Sequence, residues 1–210
     1  MSVGYRAVGW NPNKRRYDLV LASGVALYLA FFALVSLTQH PDVTLETVLI
    51  RAFGSGALLL LHVVLSIGPL CRLSPRWLPL LYNRRHLGVT TFLLALLHGG
   101  FALIQFHALG DTNPLVSVLS AETSWGRLAL FPFQPLGAAA LLILFLLAAT
   151  SHDFWLANLT APVWKALHML VYLAWALVLL HVAFGAMQDQ IEGPLPALLL
   201  AGLLWIGSLH

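Results

Sequence analysis

Charged residues are scarce in this sequence. Asp, Glu, Lys and Arg make up 9% of its 210 residues, whereas 60% are apolar and the mean hydropathy is +0.85. A soluble domain contains about 25% charged residues, and a soluble fold of this size lacks the polar atoms to cover so much apolar surface. A disordered chain is excluded as well, because such chains are poor in apolar residues. The composition therefore predicts an integral membrane protein.

The sequence contains a single cysteine and no glycine-rich nucleotide-binding motif. Cys71 is the single cysteine, which excludes a disulfide framework and any zinc or iron–sulfur site ligated by several cysteines of this chain. No glycine-rich GxGxxG motif follows a predicted strand. We therefore expect this chain to bind neither flavin nor nicotinamide.

Six apolar segments approach the roughly 20 residues that a helix needs to cross a bilayer. They are Leu19–Leu37, Ala52–Leu70, His86–Phe106, Pro135–Ser151, Trp164–Phe184 and Leu195–His210. The first segment is too long for a signal peptide and lacks a cleavage site, so we count it as a helix. The sequence thus predicts an all-α membrane protein, with a cytoplasmic segment over residues 1–18 and a six-transmembrane-helix bundle over residues 19–210.

Lys and Arg cluster on one side of these segments. When the N-terminal side is called inner, two basic residues lie in outer loops, Arg51 and Arg127. The other nine lie in inner segments: Arg6, Lys14, Arg15, Arg16, Arg72, Arg76, Arg84, Arg85 and Lys165. Because basic residues stay in the cytoplasm, both termini are predicted to be cytoplasmic, in a multi-pass protein of the cell inner membrane. Topology and anionic membrane lipid explain these charges, and no nucleic-acid partner is expected.

Two loops and the chain end carry further signals. The outer loop His107–Gln134 contains Trp125 and Phe131, and we expect a short interfacial helix there. The sixth segment ends at His210 without a basic flank. This ending favours a truncated chain or a domain boundary, with a further cytoplasmic domain after residue 210.

Histidine is the unusual polar residue of the predicted spans. Of nine histidines, His62, His98, His168 and His181 fall inside spans and His86 opens one. Ionisable groups at membrane depth are costly and usually functional. Neutral imidazole is the cheapest of them to bury and is the commonest metal ligand.

The histidines of the third and fifth segments share two depths. Counted from the inner basic residues, His86 and His168 lie near the inner face, and His98 and His181 lie deeper toward the outer face. Separations of 12 and 13 residues correspond to about 18 and 20 Å of helix rise. The pattern predicts one or two haems, each held between two imidazoles, a ligation that carries electrons and leaves no position for oxygen.

The helical phase and the flanking residues refine this hypothesis. Separations of 12 and 13 residues turn an ideal helix by about 120° and 220°, so we expect a bulge or local unwinding, or haems on different sides of a shared axis. Arg84 and Arg85 are placed to bind the propionates of an inner haem, with topology charge as the alternative. Small residues beside the outer histidines favour a planar macrocycle or close helix packing: Gly99, Gly100, Ala183 and Gly185.

Other roles for the histidines stay open at this point. Interhelical hydrogen bonding explains a single membrane histidine, whereas two matching levels on two helices favour haem. His62 has no partner at its own level and is either a substitute ligand or a polar neighbour. The remaining histidines lie at span ends or outside the spans, where we expect exposure: His40, His107, His152 and His210.

The chain resembles the ferric reductase-like transmembrane domain family over about residues 50–185. The resemblance lies in GALLLLHVVLSIGPL, NRRHLGVTTFLLALLHGGF and TSHDFWLANLTAPVWKALHMLVYLAW, and in a histidine 13 positions after that of KALH. The branch that it most resembles is the haem-binding membrane subunit of the bacterial methionine sulfoxide reductase system. It departs from that branch at His62, at His86 and in a longer outer loop.

The resemblance implies six helices, b-type haem and electron flow from the cytoplasmic side to an outer acceptor. His98, His168 and His181 match the haem histidines of the family. His86 matches the second inner histidine of the related NADPH oxidases and iron reductases. The implied donor is a separate reductase or an appended cytoplasmic redox domain, and the implied acceptor is a periplasmic protein or small molecule.

These observations leave several functions open. The first is a membrane electron-transfer subunit of an oxidoreductase system, with quinol as an alternative donor at a site using His62, Gln105 or His152. The second is a stand-alone ferric or metal reductase or oxidase. A histidine-relay transporter or channel, or a scaffold whose histidines join helices, is a third class that predicts a colourless protein.

Overall fold

The computed structural model describes residues 12–81, 83–120, 131–185 and 195–210. Within these ranges the regular structure is helical and contains no strand, which confirms the predicted all-α class. The helices are α1 (Pro12–Gln39), α2 (Leu45–Leu73), α3 (Leu78–Leu81), α4 (Arg84–His107), α5 (Pro114–Ser120), α6 (Gln134–Ala149), α7 (Asp153–Asn158), α8 (Ala161–His168), α9 (Leu170–Phe184) and α10 (Leu195–Leu209).

Four apolar helical stretches are long enough to cross a membrane. They are α1, α2, α4 and the stretch Ala161–Phe184 that α8 and α9 form together. Two further apolar helices, α6 and α10, have 16 and 15 residues and fall short of the roughly 20 residues that a perpendicular span needs. Each predicted segment is therefore helical, and four have full membrane length.

Helix α2 shows how the sequence sets the helix ends. The hydroxyl of Thr44 accepts a hydrogen bond from the backbone N–H of Thr47 at 3.4 Å, and Glu46 lies in the first turn. An oxygen cap and an acidic first turn both stabilise a helix N-terminus. The helix ends at Leu73, with Ser74 as its C-cap residue, directly before Pro75, which has no backbone N–H to donate to the helical hydrogen-bond ladder.

Helix α2 is also the centre of the bundle. It packs against α1, α4 and α10, while α6 packs against α4 and α9. Half of its most apolar window is buried, compared with none of the α1 window. One buried cluster joins α2, α6, α9 and α10 through Leu61, Leu65, Leu144, Ala174 and Ile206. Many large apolar side chains on the other helix faces are exposed, as on lipid-facing surfaces.

Local features refine the predicted segments. Helix α4 begins at Arg84, so His86 is helical, and it continues to His107. The fifth segment is interrupted at Met169, whose N–H bonds to the carbonyls of both Lys165 and Ala166. The helical phase predicts an irregularity in both the third and the fifth segments; the fifth has one at Met169, whereas α4 is continuous from His86 to His98. Helix α5 is a short helix in the outer loop, as expected, whereas Tyr82, Trp125 and Arg127 lie outside the described residues.

Candidate haem-ligand site

His98 and His181 meet between α4 and α9. Their ring centroids are 6.1 Å apart, and the ring planes cross at 82°. His98 bonds the backbone near the start of α2, and His181 bonds the backbone just before α6. Both rings therefore lie toward the end of the bundle where α2 and α6 begin, which confirms that the two residues share one level.

Each of these imidazoles is oriented by a backbone carbonyl of a neighbouring helix. Nδ1 of His98 is 2.9 Å from the oxygen of Ile50, and Nδ1 of His181 is 2.8 Å from the oxygen of Phe133. A carbonyl oxygen only accepts, so each Nδ1 donates its hydrogen. In a neutral imidazole the lone pair is then on Nε2, the arrangement that metal-ligating histidines adopt.

The separation of the two rings fits a metal held between them. Two metal–nitrogen bonds of about 2 Å place the centres of two coordinating imidazoles about 6 Å apart, close to the observed 6.1 Å. Among the described residues, no group of three or more His, Cys, Asp or Glu side chains could hold a bare ion. A haem requires only two axial ligands from protein, because the porphyrin occupies the other positions. The donor set therefore fits haem iron.

Two glycines that the sequence analysis did not single out make this arrangement possible. Gly54 of α2 lies directly against the ring of His98, and Gly137 of α6 lies against the ring of His181. The glycines predicted to admit a macrocycle behave differently. Gly100 has open space, Gly99 faces Leu141, and Gly185 faces Phe133 and the His181 carbonyl. A glycine on a different helix from the histidine carries no signal in a single sequence.

His168 lies at the inner level and is oriented within its own segment. Its Nδ1–H donates a hydrogen bond to the carbonyl of Trp164 at 3.0 Å. Its ring stacks on the indole of Trp164, with the ring centroids 3.9 Å apart. Its Nε2 is buried and has no hydrogen-bond partner among the described residues. A buried nitrogen without a partner is costly, and a ligand at this position would remove that cost.

The two arginines next to His86 have different surroundings. Arg85 forms an ion pair with Asp153, so its guanidinium already has one carboxylate partner. Arg84 is partly buried and lies beside Gly68 of α2. Both arginines are close enough to His168 to interact with it electrostatically. They therefore lie near His168, and their binding of propionates stays a prediction.

His86 is tied to the first helix. Its Nδ1 is 2.5 Å from Oδ1 of Asp18, and the same oxygen accepts a hydrogen bond from Asn83. The described contacts thus bring His98 and His181 together, whereas those of His86 and His168 lead to different neighbours, Asp18 and Trp164.

His62 has partners for both ring nitrogens. Nδ1 donates to Leu58 of its own helix at 2.8 Å, and Nε2 accepts the indole N–H of Trp175 at 3.3 Å. Gly202 of α10 packs against the same nitrogen. This geometry is that of a polar neighbour joining α2, α9 and α10, because the lone pair that would bind a metal is already in use.

The three residues considered for a quinol site contact different elements. His62 lies within the bundle, whereas Gln105 donates to Thr47 near the start of α2. His152 accepts the N–H of Phe154 at the start of α7. These contacts do not bring the three side chains together. Of the outer arginines, Arg51 is exposed and Arg127 lies outside the described residues.

Comparison with known proteins identifies the family. The model for "Ferric reductase like transmembrane component" matches residues 51–179. The chain belongs to this family. It is also 32% identical, over 159 residues, to the protein-methionine-sulfoxide reductase heme-binding subunit MsrQ of Herminiimonas arsenicoxydans, across 75% of this chain and 68% of that relative. No solved structure matches.

The family match covers three of the four candidate ligand histidines. His86, His98 and His168 lie inside the matched range, and His181 lies just beyond its end. The contact between His98 and His181 is therefore structural information beyond the family match. The predicted resemblance to ferric reductase-like and MsrQ-like proteins is confirmed.

Proposed function

We propose that this chain is a b-type cytochrome that carries electrons across the membrane with one or two haems. The observation that carries the proposal is the meeting of His98 and His181, whose ring centroids are 6.1 Å apart. The Nδ1–H group of each ring donates a hydrogen bond to a backbone carbonyl. The relative that binds heme, by its name, is consistent with this function. Haem supplies reversible one-electron chemistry when bound.

The protein residues have three tasks at the outer site. His98 and His181 would hold the iron, and ligation by two imidazoles would leave no position for oxygen, so that the site would carry electrons. The carbonyls of Ile50 and Phe133 keep both imidazoles in one tautomer. The ring of Phe133, whose centroid is 5.4 Å from that of His181, makes the surroundings apolar, and burial is one of the ways in which a protein sets the reduction potential of a haem.

The inner level is the proposed place of a second haem. His168 contributes a buried Nε2 without a described partner. His86 is the proposed second ligand, because its Nδ1 bond to Asp18 is the carboxylate–histidine arrangement that supports a metal ligand through the other nitrogen. Arg84 and Arg85 are the proposed partners of the propionates, with bidentate bonds as the expected geometry.

Direction and partners follow from the charge distribution and from the relative. We propose six membrane crossings with cytoplasmic termini in the inner membrane, because the basic residues fall almost entirely on one side. Electrons then enter from a cytoplasmic reductase, an appended redox domain or quinol, and leave to a periplasmic protein or small molecule. The relative is a subunit by name, which favours a protein acceptor over stand-alone metal reduction.

Absorption spectroscopy of the purified full chain tests this proposal. We expect a Soret band and sharp α and β bands after dithionite reduction, as bis-histidine haem shows. His98→Ala and His181→Ala each remove the same haem, because either change leaves iron with one axial protein ligand. His168→Ala removes or shifts the second haem. The readout is the haem-to-protein ratio with the reduced-minus-oxidised spectrum.

His40→Ala is the matched control, because His40 is exposed at the end of α1 and is expected to leave the haem content unchanged. A folded wild-type protein that stays colourless when haem supply is ample would overturn the proposal and favour a haem-free transporter. Full haem content in all three alanine variants would overturn the ligand assignment.

A further inference from the structure

Each histidine of the outer pair rests on the same small structure, supplied by a neighbouring helix. The structure consists of a carbonyl and a glycine four residues later: Ile50 and Gly54 under His98, and Phe133 and Gly137 under His181. We call these two structures the glycine–carbonyl cradles. One cradle lies between α2 and α4 and the other lies between α6 and α9. The two helices within each of these pairs are in extensive contact.

The fit of the rings to the glycines leaves no room for a side chain. A Cβ on Gly54 would lie 2.8 Å from Nδ1 of His98, and a Cβ on Gly137 would lie 2.6 Å from Nδ1 of His181. Real Cβ contacts are essentially never this short. The same carbonyls are the hydrogen-bond acceptors, and Phe133 also accepts the backbone N–H of Gly137 at 3.2 Å.

The spacing of four residues explains why carbonyl and glycine act together. Residues four apart lie one above the other on the same helix face. The missing side chain at the second position exposes the carbonyl of the first position to a group from outside the helix. An imidazole can then lie on the glycine and donate Nδ1–H to that carbonyl. Two contacts of this kind restrict rotation of the ring about its Cβ–Cγ bond.

The two cradles hold their rings crosswise, at 82°. We propose that Gly54 and Gly137 are positioning residues that fix the imidazole planes nearly perpendicular and maintain both Nδ1–H bonds, and so set the electronic state of the outer haem. This inference rests on the proposed haem ligation by His98 and His181. It adds a role for two residues that touch neither iron nor substrate.

Crossed and parallel imidazoles affect ferric iron differently. Parallel planes interact with one of the two iron d orbitals that have π symmetry and split their energies, whereas perpendicular planes interact with both equally. The perpendicular case gives a highly anisotropic low-spin EPR signal, with one very large g value. Hydrogen bonding from Nδ1 makes the imidazole a stronger donor to the metal, which favours the ferric state and lowers the reduction potential.

The test is EPR spectroscopy and redox titration of the full chain with haem bound. We expect the wild type to show a highly anisotropic low-spin signal that His98→Ala or His181→Ala abolishes. In Gly54→Ala or Gly137→Ala the added methyl displaces one ring. The expected result is a change of that signal to a rhombic low-spin type or its loss, and a higher midpoint potential where the haem is retained.

Gly24→Ala is the matched control. Gly24 is exposed on α1, and a Cβ there meets nothing within 4 Å, so the EPR signal and potential should stay at the wild-type values. A role in helix packing alone would lower the unfolding temperature of the cradle variants without moving either readout.

The possible outcomes distinguish a failure of this inference from a failure of the proposed haem-binding function. A colourless wild type overturns the haem proposal and this inference with it. A wild type that binds haem but gives only a rhombic signal overturns the crossed arrangement, even when neither cradle variant folds. Bound haem with unchanged EPR and potential in the folded cradle variants overturns the positioning role and leaves haem binding intact.

Discussion

The membrane histidines differ most clearly in where Nδ1 finds its carbonyl. His62 and His168 bond the carbonyl four residues earlier in their own helix segment, whereas His98 and His181 bond a neighbouring helix. A bond within one helix orients a ring relative to that helix alone. A bond between helices orients the ring relative to the bundle, which is what a ligand shared between two helices requires.

At this residue scale we predict that His62→Ala keeps the full haem content. Trp175→Phe removes the indole N–H that His62 accepts and is expected to lower the free energy of unfolding by about 0.5–1.5 kcal/mol, the range for interhelical hydrogen bonds in membranes. Thermal unfolding in detergent and the haem-to-protein ratio are the measurements. Trp205→Phe is the comparison, because its indole donates to Ser66 at 2.8 Å. Loss of haem in His62→Ala would make His62 a ligand.

At the scale of elements, α1 has the least buried apolar window of the four membrane-length helical stretches. None of its residues is buried, and it is attached to the bundle by polar contacts at two points. Asp18 accepts from Asn83 and His86 at its inner end, and Tyr28 donates to Ser55 at 2.8 Å. In the low-dielectric membrane, such contacts hold a helix that hydrophobic burial cannot hold, since lipid is as apolar as the helix.

We predict that Asp18→Ala loosens the inner end of α1. Both donors lose their acceptor, and a partly buried donor without a partner costs about 1–3 kcal/mol. The expected results are a lower unfolding temperature and faster proteolysis near the start of α1. Tyr28→Phe, which removes one hydroxyl bond, should have a smaller effect of about 1 kcal/mol. Equal stability of Asp18→Ala and wild type would show that the inner contact does not hold α1.

At the scale of the whole molecule, the outer histidine pair and the basic residues lie at opposite ends of the helix bundle. The outer histidine pair is built where α2 and α6 begin, and the basic residues Arg84 and Arg85 start α4 at the other end. In the proposed topology, which puts the basic end in the cytoplasm, the His98–His181 pair would lie toward the outside and His168 toward the inside. Two carriers at these depths would form a path across the bilayer.

This orientation predicts the accessibility of cysteines introduced into a Cys71→Ser background. A membrane-impermeant maleimide should label His40→Cys in intact cells, because the end of α1 is outside in the proposed topology. Asn158→Cys, at the exposed end of α7, should react only after the membrane is opened. The reverse pattern would invert the direction of electron transfer, and equal labelling of both would contradict an odd number of crossings between them.

The sequence predicted much of this fold because the relevant signals are local. Apolar length identified the six helical segments, and a turn at Met169 interrupts one of the two segments in which irregularity was expected, while the other, α4, is continuous. The extended α1 differs from its predicted span because a helix continues past the bilayer through Lys14, Arg15 and Arg16. The irregularity could be expected but not located, since Met169 carries no helix-breaking side chain.

By itself the sequence determined the membrane class, the helical segments and the shared level of His98 and His181 along their helices. Hydrophobic length and rise per residue are properties of a single helix, so they can be counted along the chain. Only the tertiary structure decided that His98 meets His181, that His62 is occupied by Trp175, and that Gly54 and Gly137 lie beneath the two rings. These facts depend on which faces of separate helices are packed together, and that choice is made by the bundle as a whole.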